Sequence, residues 1–89
     1  MKKIFCDLHL FNLEHNVYVI DLDNNSTELI TTVSIEELPE IISAVCHSRN
    51  IDNILLQGNS VYSSAIAEDI IAYSKINYNK NNLEIEVIK

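Results

Sequence analysis

The sequence predicts an α/β domain with the element order βββαβαβ, in which a five-stranded mixed sheet of order 3-2-1-4-5 carries two helices on one face. Three observations predict it. Residues 1–33 alternate apolar and polar side chains between turn-forming runs and hold no helical period. Two later segments, 34–50 and 60–76, place apolar residues at helical spacing. Two short apolar runs, 53–57 and 83–88, follow them, each long enough for one strand.

The first strand is expected over 4–11, with Ile4, Cys6, Leu8 and Leu10 pointing one way and Phe5, Asp7, His9 and Phe11 the other. A turn over 12–16 leads to a β-branched strand over 17–22. The run Asp23-Asn24-Asn25-Ser26 has turn chemistry, and a third strand occupies 27–33. Short connections make these three an antiparallel meander. Ser34 and Glu37 have capping-box spacing, and Leu38, Ile41, Ile42, Val45 and Cys46 form the apolar stripe of the first helix. Pro39 stands deep enough to give that helix an irregular start. Ile54-Leu55-Leu56 is apolar on both faces, as a central parallel strand requires. Asn59 or Ser60 caps the second helix, whose stripe is Tyr62, Ile66, Ile70 and Tyr73, and whose Ala65, Ala67 and Ala72 suit close packing on a sheet. The last strand alternates Leu83, Ile85 and Val87 against Glu84 and Glu86.

Right-handed crossovers place strand 4 beside strand 1 and strand 5 beyond it. Both crossovers run the same way across the sheet, so both helices lie on one face. The opposite face is then expected to show Phe5, Asp7, His9 and Phe11 from strand 1, with Glu84, Glu86 and Ile88 from strand 5. A bare apolar area of this kind tends to mark a contact surface.

Asp7 on strand 1, together with Ile54-Leu55-Leu56-Gln57-Gly58-Asn59 as a fourth strand and its exit loop, completes a succession of elements that resembles the ribonuclease H-like superfamily. That superfamily includes Holliday-junction resolvases, transposase cores and the sugar-kinase and actin nucleotide-binding domains. In its nuclease members the first metal-binding aspartate stands on strand 1, where this chain has Asp7. The resemblance therefore implies a reduced, Mg²⁺- or Mn²⁺-dependent nuclease or resolvase centred on Asp7. The further carboxylates on hand are Glu37 or Glu40 on the first helix and Glu68 or Asp69 on the second, none at a position of the family's motif. Gln57 and Asn59 stand where those nucleases usually offer another acid, and residues 12–15 hold no glycine-rich phosphate loop.

Composition narrows the functional classes. The 89 residues suit one domain, 1–89, and thirteen acids against six bases give a net charge of −7. The bases, Lys2, Lys3, Arg49, Lys75, Lys80 and Lys89, form no stripe, which argues against nucleic-acid binding. No apolar run reaches the roughly 20 residues of a membrane span, and Asp7 interrupts any leader-like core, so a cytoplasmic protein is expected. Cys6 and Cys46 are then expected as buried free thiols. The abundance of Ile, Asn and Lys is compatible with a low-GC bacterium or its phage.

The other constellations have simpler explanations. Cys6 and His9 point to opposite faces of a strand, and Cys46 and His47 diverge on a helix, so neither pair with His15 makes a zinc site. The stretch 21–26 lacks the glycine of a calcium loop and reads as a hairpin turn. Gly58 alone is a thin basis for nucleotide binding. The expectation is a non-enzymatic protein-interaction module, without metal or cofactor. It forms a homodimer, or meets a partner protein, through a face holding Phe5, Asp7, His9, Phe11 and Ile88.

Overall fold

The computed structural model describes residues 1–8 and 13–88. Strands β1 (Lys2–Leu8), β2 (Glu14–Asp21) and β3 (Ser26–Ser34) are followed by a 3₁₀ turn (Ile35–Glu37), α1 (Leu38–Arg49), β4 (Asn53–Gly58), α2 (Ser60–Tyr78) and β5 (Glu84–Ile88). The sheet order is β3-β2-β1-β4-β5, with β1–β2 and β2–β3 antiparallel and β1–β4 and β4–β5 parallel. This is the predicted topology. Residues 9–11 of the expected first strand lie outside the described residues.

One face of the sheet carries the core. Ile4, Cys6 and Leu8 of β1, Val17 and Val19 of β2, and Ile54 and Leu56 of β4 are buried against Leu38, Ile42 and Cys46 of α1 and Ile66, Ala67 and Ile70 of α2. Both helices therefore lie on the same side. The helices also pack on each other, and the buried Ser43 hydroxyl donates to the Ile70 carbonyl at 3.3 Å. The small buried residues of the helices are Ser43, Ser63, Ala67 and Ser74, whereas Ala65 and Ala72 are exposed. Close packing thus falls to serines that the alanine-based reading passed over.

Local chemistry explains the boundaries. In the β2–β3 hairpin, Asp21 accepts from the amides of Asp23 and Asn24 and from the Asn24 side chain, while Asn25 takes a positive φ of 54°. That is the expected turn. A bulge between Val17 and Tyr18 sets Thr31 opposite Val17 and Leu29 opposite Tyr18. It keeps Glu28 on the helix side, where both carboxylate oxygens accept from Arg49 of α1 at 3.2 Å. Ser34 stays extended and makes no capping bond, so the expected capping box does not form. The chain enters α1 through the 3₁₀ turn, and Pro39 falls in the first turn of the α-helix, where its missing N–H costs nothing. Asn59 caps α2 by accepting from the amides of Val61 and Tyr62. Lys80, mostly buried, donates to Asp52 at 2.5 Å, and the Asp52 carbonyl accepts from the Glu84 amide, which anchors the start of β5. No helix among the described residues is long and apolar enough to cross a membrane.

Candidate functional site

The side of the sheet away from the helices is built by alternation. Ile4, Cys6 and Leu8 face the core, so Lys3, Phe5 and Asp7 face outward. Register then fills the outward face. Phe5 lies opposite Tyr18 on one side and Leu55 on the other, and Leu55 opposite Glu86. Asp7 lies opposite Gln57, and Gln57 opposite Ile88. Ile20 pairs with Lys3, and Leu29 on β3 lies opposite Tyr18. Phe5, Tyr18, Ile20, Leu55 and Ile88 are half-buried by their neighbours within the sheet, and Leu29 is 54% exposed. Among the described residues no helix or strand lies over this face. The structure thus places Phe5, Asp7, Glu84, Glu86 and Ile88 together on the predicted face, while His9 and Phe11 lie outside the described residues.

Near the middle of this face is a cleft of about 400 Å³, with Phe5, Tyr18 and Ile20 on its apolar side and Asp7, Glu14 and His15 on its polar side. The Phe5 and Tyr18 rings are 6.1 Å apart and tilted by 40°. A short chain of hydrogen bonds holds the tip of Tyr18: Thr32 donates to Asn16 at 2.6 Å, and the Asn16 amide donates to the Tyr18 hydroxyl at 3.0 Å. His15 is only 2% exposed, with Nδ1 3.3 Å from the Asp7 carbonyl. Because a carbonyl only accepts, Nδ1 carries a proton in this contact, and the buried Nε2 has no partner among the described residues. Sequence reading set His15 in a turn. Its alternation with Val17 and Val19 was the available signal.

The alternative nuclease residues are dispersed. Glu37 is exposed at the end of the 3₁₀ turn, and Glu40 is exposed on α1, where it neighbours Tyr73 of α2. Tyr73 is raised above its ordinary pKa first by burial, then by Glu40 and Tyr78 and by its hydrogen bond with Glu40. Glu68 and Asp69 are exposed on α2. All four sit on the helical layer, while Asp7 faces the open side. Among the described residues no three His, Cys, Asp or Glu side chains come close enough to hold a metal ion.

Cys6 and Cys46 are free and buried, as expected. Burial, and then the Asp7 charge, pushes the Cys6 thiol up to about 12. Burial likewise pushes Cys46 up to about 12, against the opposing pull of Lys80. Both are neutral and poorly nucleophilic near neutral pH. Gly58 takes φ +150°, and a Cβ there would lie 2.2 Å from the Leu8 carbonyl oxygen. Close approach of β4 to β1 accounts for this glycine.

No family model matches the chain, and no curated protein matches it. Solved structures do. Dom34 of S. cerevisiae, a translation termination-like factor involved in RNA quality control pathways and interacting with Hbs1, superposes with a TM-score of 0.62 at 14% identity. That match covers 96% of this chain and 28% of Dom34. RuvC of Thermus thermophilus superposes with a TM-score of 0.59 at 8% identity, covering 98% of this chain and 63% of RuvC. Its complex with a Holliday junction substrate gives 0.57. The chain spans less than two thirds of either protein. At these identities the likeness concerns fold alone, and that fold is ribonuclease H-like.

Proposed function

We infer that this chain is a protein-interaction module that self-associates through the open face of its sheet. The observation that carries this reading is the row Tyr18, Phe5 and Leu55 across three adjacent strands, flanked by Ile20, Leu29 and Ile88, with no element over it among the described residues. An aromatic-centred apolar patch with a polar rim is the usual composition of a contact surface. Size supports it as well. The molecule measures 31 × 31 × 20 Å, and its broad side is comparable to the ~800 Å² per partner that a specific interface buries. A second copy is favoured because two-fold pairs are the commonest closed assembly. The test is size-exclusion chromatography with light scattering. Twice the chain mass is expected at high micromolar concentration, and Phe5→Glu should return the monomer with an unchanged circular-dichroism spectrum. A wild-type monomer under those conditions overturns self-association.

The second reading is a metal-dependent nuclease or resolvase centred on Asp7. Its support is the position of Asp7 on the first strand of a ribonuclease H-like sheet. Among the described residues no set fits a divalent ion, because Glu37 and Glu40 lie on the other layer, and we assign no metal-dependent step to the chain. Junction DNA or an RNA–DNA hybrid with Mg²⁺ or Mn²⁺ separates the two readings. Cleavage abolished by Asp7→Asn would make the enzyme the better account.

A further inference from the structure

The outward residues of β1 are Lys3, Phe5 and Asp7, a cation and an anion equally spaced on either side of an aromatic ring. We propose that a second copy of the chain docks with its β1 antiparallel to this one, about a two-fold axis at Phe5. The Lys3 ammonium of each copy then enters the cleft beside Asp7 of the other. The proposal rests on the open-face reading above and adds to it the geometry and the charged residue that each copy supplies.

Symmetry is the first argument. A face-to-face two-fold pair must match one patch to itself, so a patch with only acids near the axis repels its copy. With the axis at Phe5 and perpendicular to β1, each strand lies reversed over its counterpart. Lys3 then falls over the partner's Asp7, and Asp7 over the partner's Lys3. Each lies two residues, roughly 7 Å, from the axis, and packed sheets stand ~10 Å apart. The four-carbon stem of lysine can cross much of that gap while packing on the rings beneath it.

The cleft suits the cation it would receive. Asp7 and Glu14 bring negative charge, and among the described residues no Lys or Arg lines the walls. The Phe5 and Tyr18 rings form one wall, and their faces attract a cation. On the axis these rings would meet the same pair from the partner, giving a four-ring centre.

Charge elsewhere is compatible. Within its own chain Lys3 borders a shallow groove with Glu84 and Glu86, and exposed contacts of that kind are weak enough to exchange. Glu84 and Glu86 belong to edge strand β5, two strands from β1. The axis sets β5 over the partner's β5, and Glu86 lies in the Phe5–Leu55 row, so its like-charge approach falls at the exposed rim, where water and salt screen it.

Charge reversal in pairs tests the arrangement. Sedimentation equilibrium over a concentration series would compare wild type, Lys3→Glu, Asp7→Lys and the double variant carrying both. Each single reversal should weaken the dimer by roughly tenfold or more, and the double should recover most of the loss, because it restores opposite charges across the axis. Lys3→Met and Asp7→Asn serve the same purpose by charge removal if a reversal fails to fold by circular dichroism. A dimer abolished by Phe5→Glu but indifferent to every Lys3 and Asp7 variant would overturn this geometry and leave open-face association standing. A double variant as weak as the singles would overturn it too. A wild-type monomer would overturn both readings together.

Discussion

The imidazole Nδ1 of His15 lies 3.3 Å from the backbone carbonyl oxygen of Asp7. Among the described residues, β1 pairs with β2 only as far as Cys6 opposite Val17, while β1 continues along β4 to Leu8 opposite Gly58. The side-chain bond therefore ties β2 to β1 where the backbone pairing has stopped, beside the acidic cleft. His15→Leu keeps apolar volume in this buried position but removes the donor. It should cost about 1–2 kcal/mol, read as a lower urea midpoint at unchanged m. Exchange of the Leu8 amide should quicken in the same variant. Equal midpoints would mean that the bond contributes nothing to holding the strands.

Much of this architecture was legible in the sequence, because it follows from local periodicity and handedness. The alternation of Ile4, Cys6 and Leu8 against Phe5 and Asp7 separates the two faces, and right-handed crossovers then place both helices over the first set. Glu84, Glu86 and Ile88 follow by the same rule from β5. The contributions of Tyr18 and Ile20 were not assigned, although strand alternation in β2 contains them. His15 was harder. It stands in a polar run, and its burial depends on β1 and β2 coming together across the turn. The Ser34 cap failed for a related reason: S-x-x-E spacing is necessary for the box, but the Ile35–Glu37 turn winds as 3₁₀ ahead of Pro39. Glu37 and Glu40 answer only to the need for further acids near Asp7 and match no position of the family's motif, and the layer on which α1 lies separates them from it.

Gly58 carries the sharpest steric demand in the chain. A Cβ would stand 2.2 Å from the Leu8 carbonyl oxygen and 3.1 Å from its carbonyl carbon, both backbone atoms in the parallel β1–β4 ladder. The φ of +150° is also one that a residue with a side chain rarely adopts. Gly58→Ala must shift the strand ends apart as well as accept strain. A loss of at least ~2 kcal/mol is expected, or roughly 10 °C in melting temperature for a domain this small. Differential scanning calorimetry would measure it, and a drop under ~2 °C would mean that β4 relaxes freely at this point.

The two helix starts make an internal control. Asn59 accepts from two amides of α2, whereas Ser34 makes no capping bond. Asn59→Ala should therefore cost about 1 kcal/mol, and Ser34→Ala should stay within ~0.5 kcal/mol of wild type. Urea denaturation of both variants reads the contrast. Equal losses would show that side-chain capping is not what distinguishes these positions.

The two core thiols predict an alkaline limit to stability. Cys6 and Cys46 are both raised from about 9 to about 12, chiefly by burial. Below pH 9 the thiols are protonated in folded and unfolded chains alike, and their contribution is fully present. As the pH rises from 9 towards 12 the unfolded thiols ionise while the folded ones hold their protons. Unfolding then releases protons, and stability falls by up to ~1.4 kcal/mol per pH unit for each thiol. Cys6→Ala/Cys46→Ala should start from a lower stability, because it leaves cavities in the core, yet lose less of it across this window. Urea midpoints from pH 8 to 11 compare the two slopes. At pH 8 a thiol-reactive disulfide reagent should label neither residue in the folded chain and both after urea is added. Rapid labelling of native protein, or parallel slopes for the two proteins, would contradict the burial that sets these values.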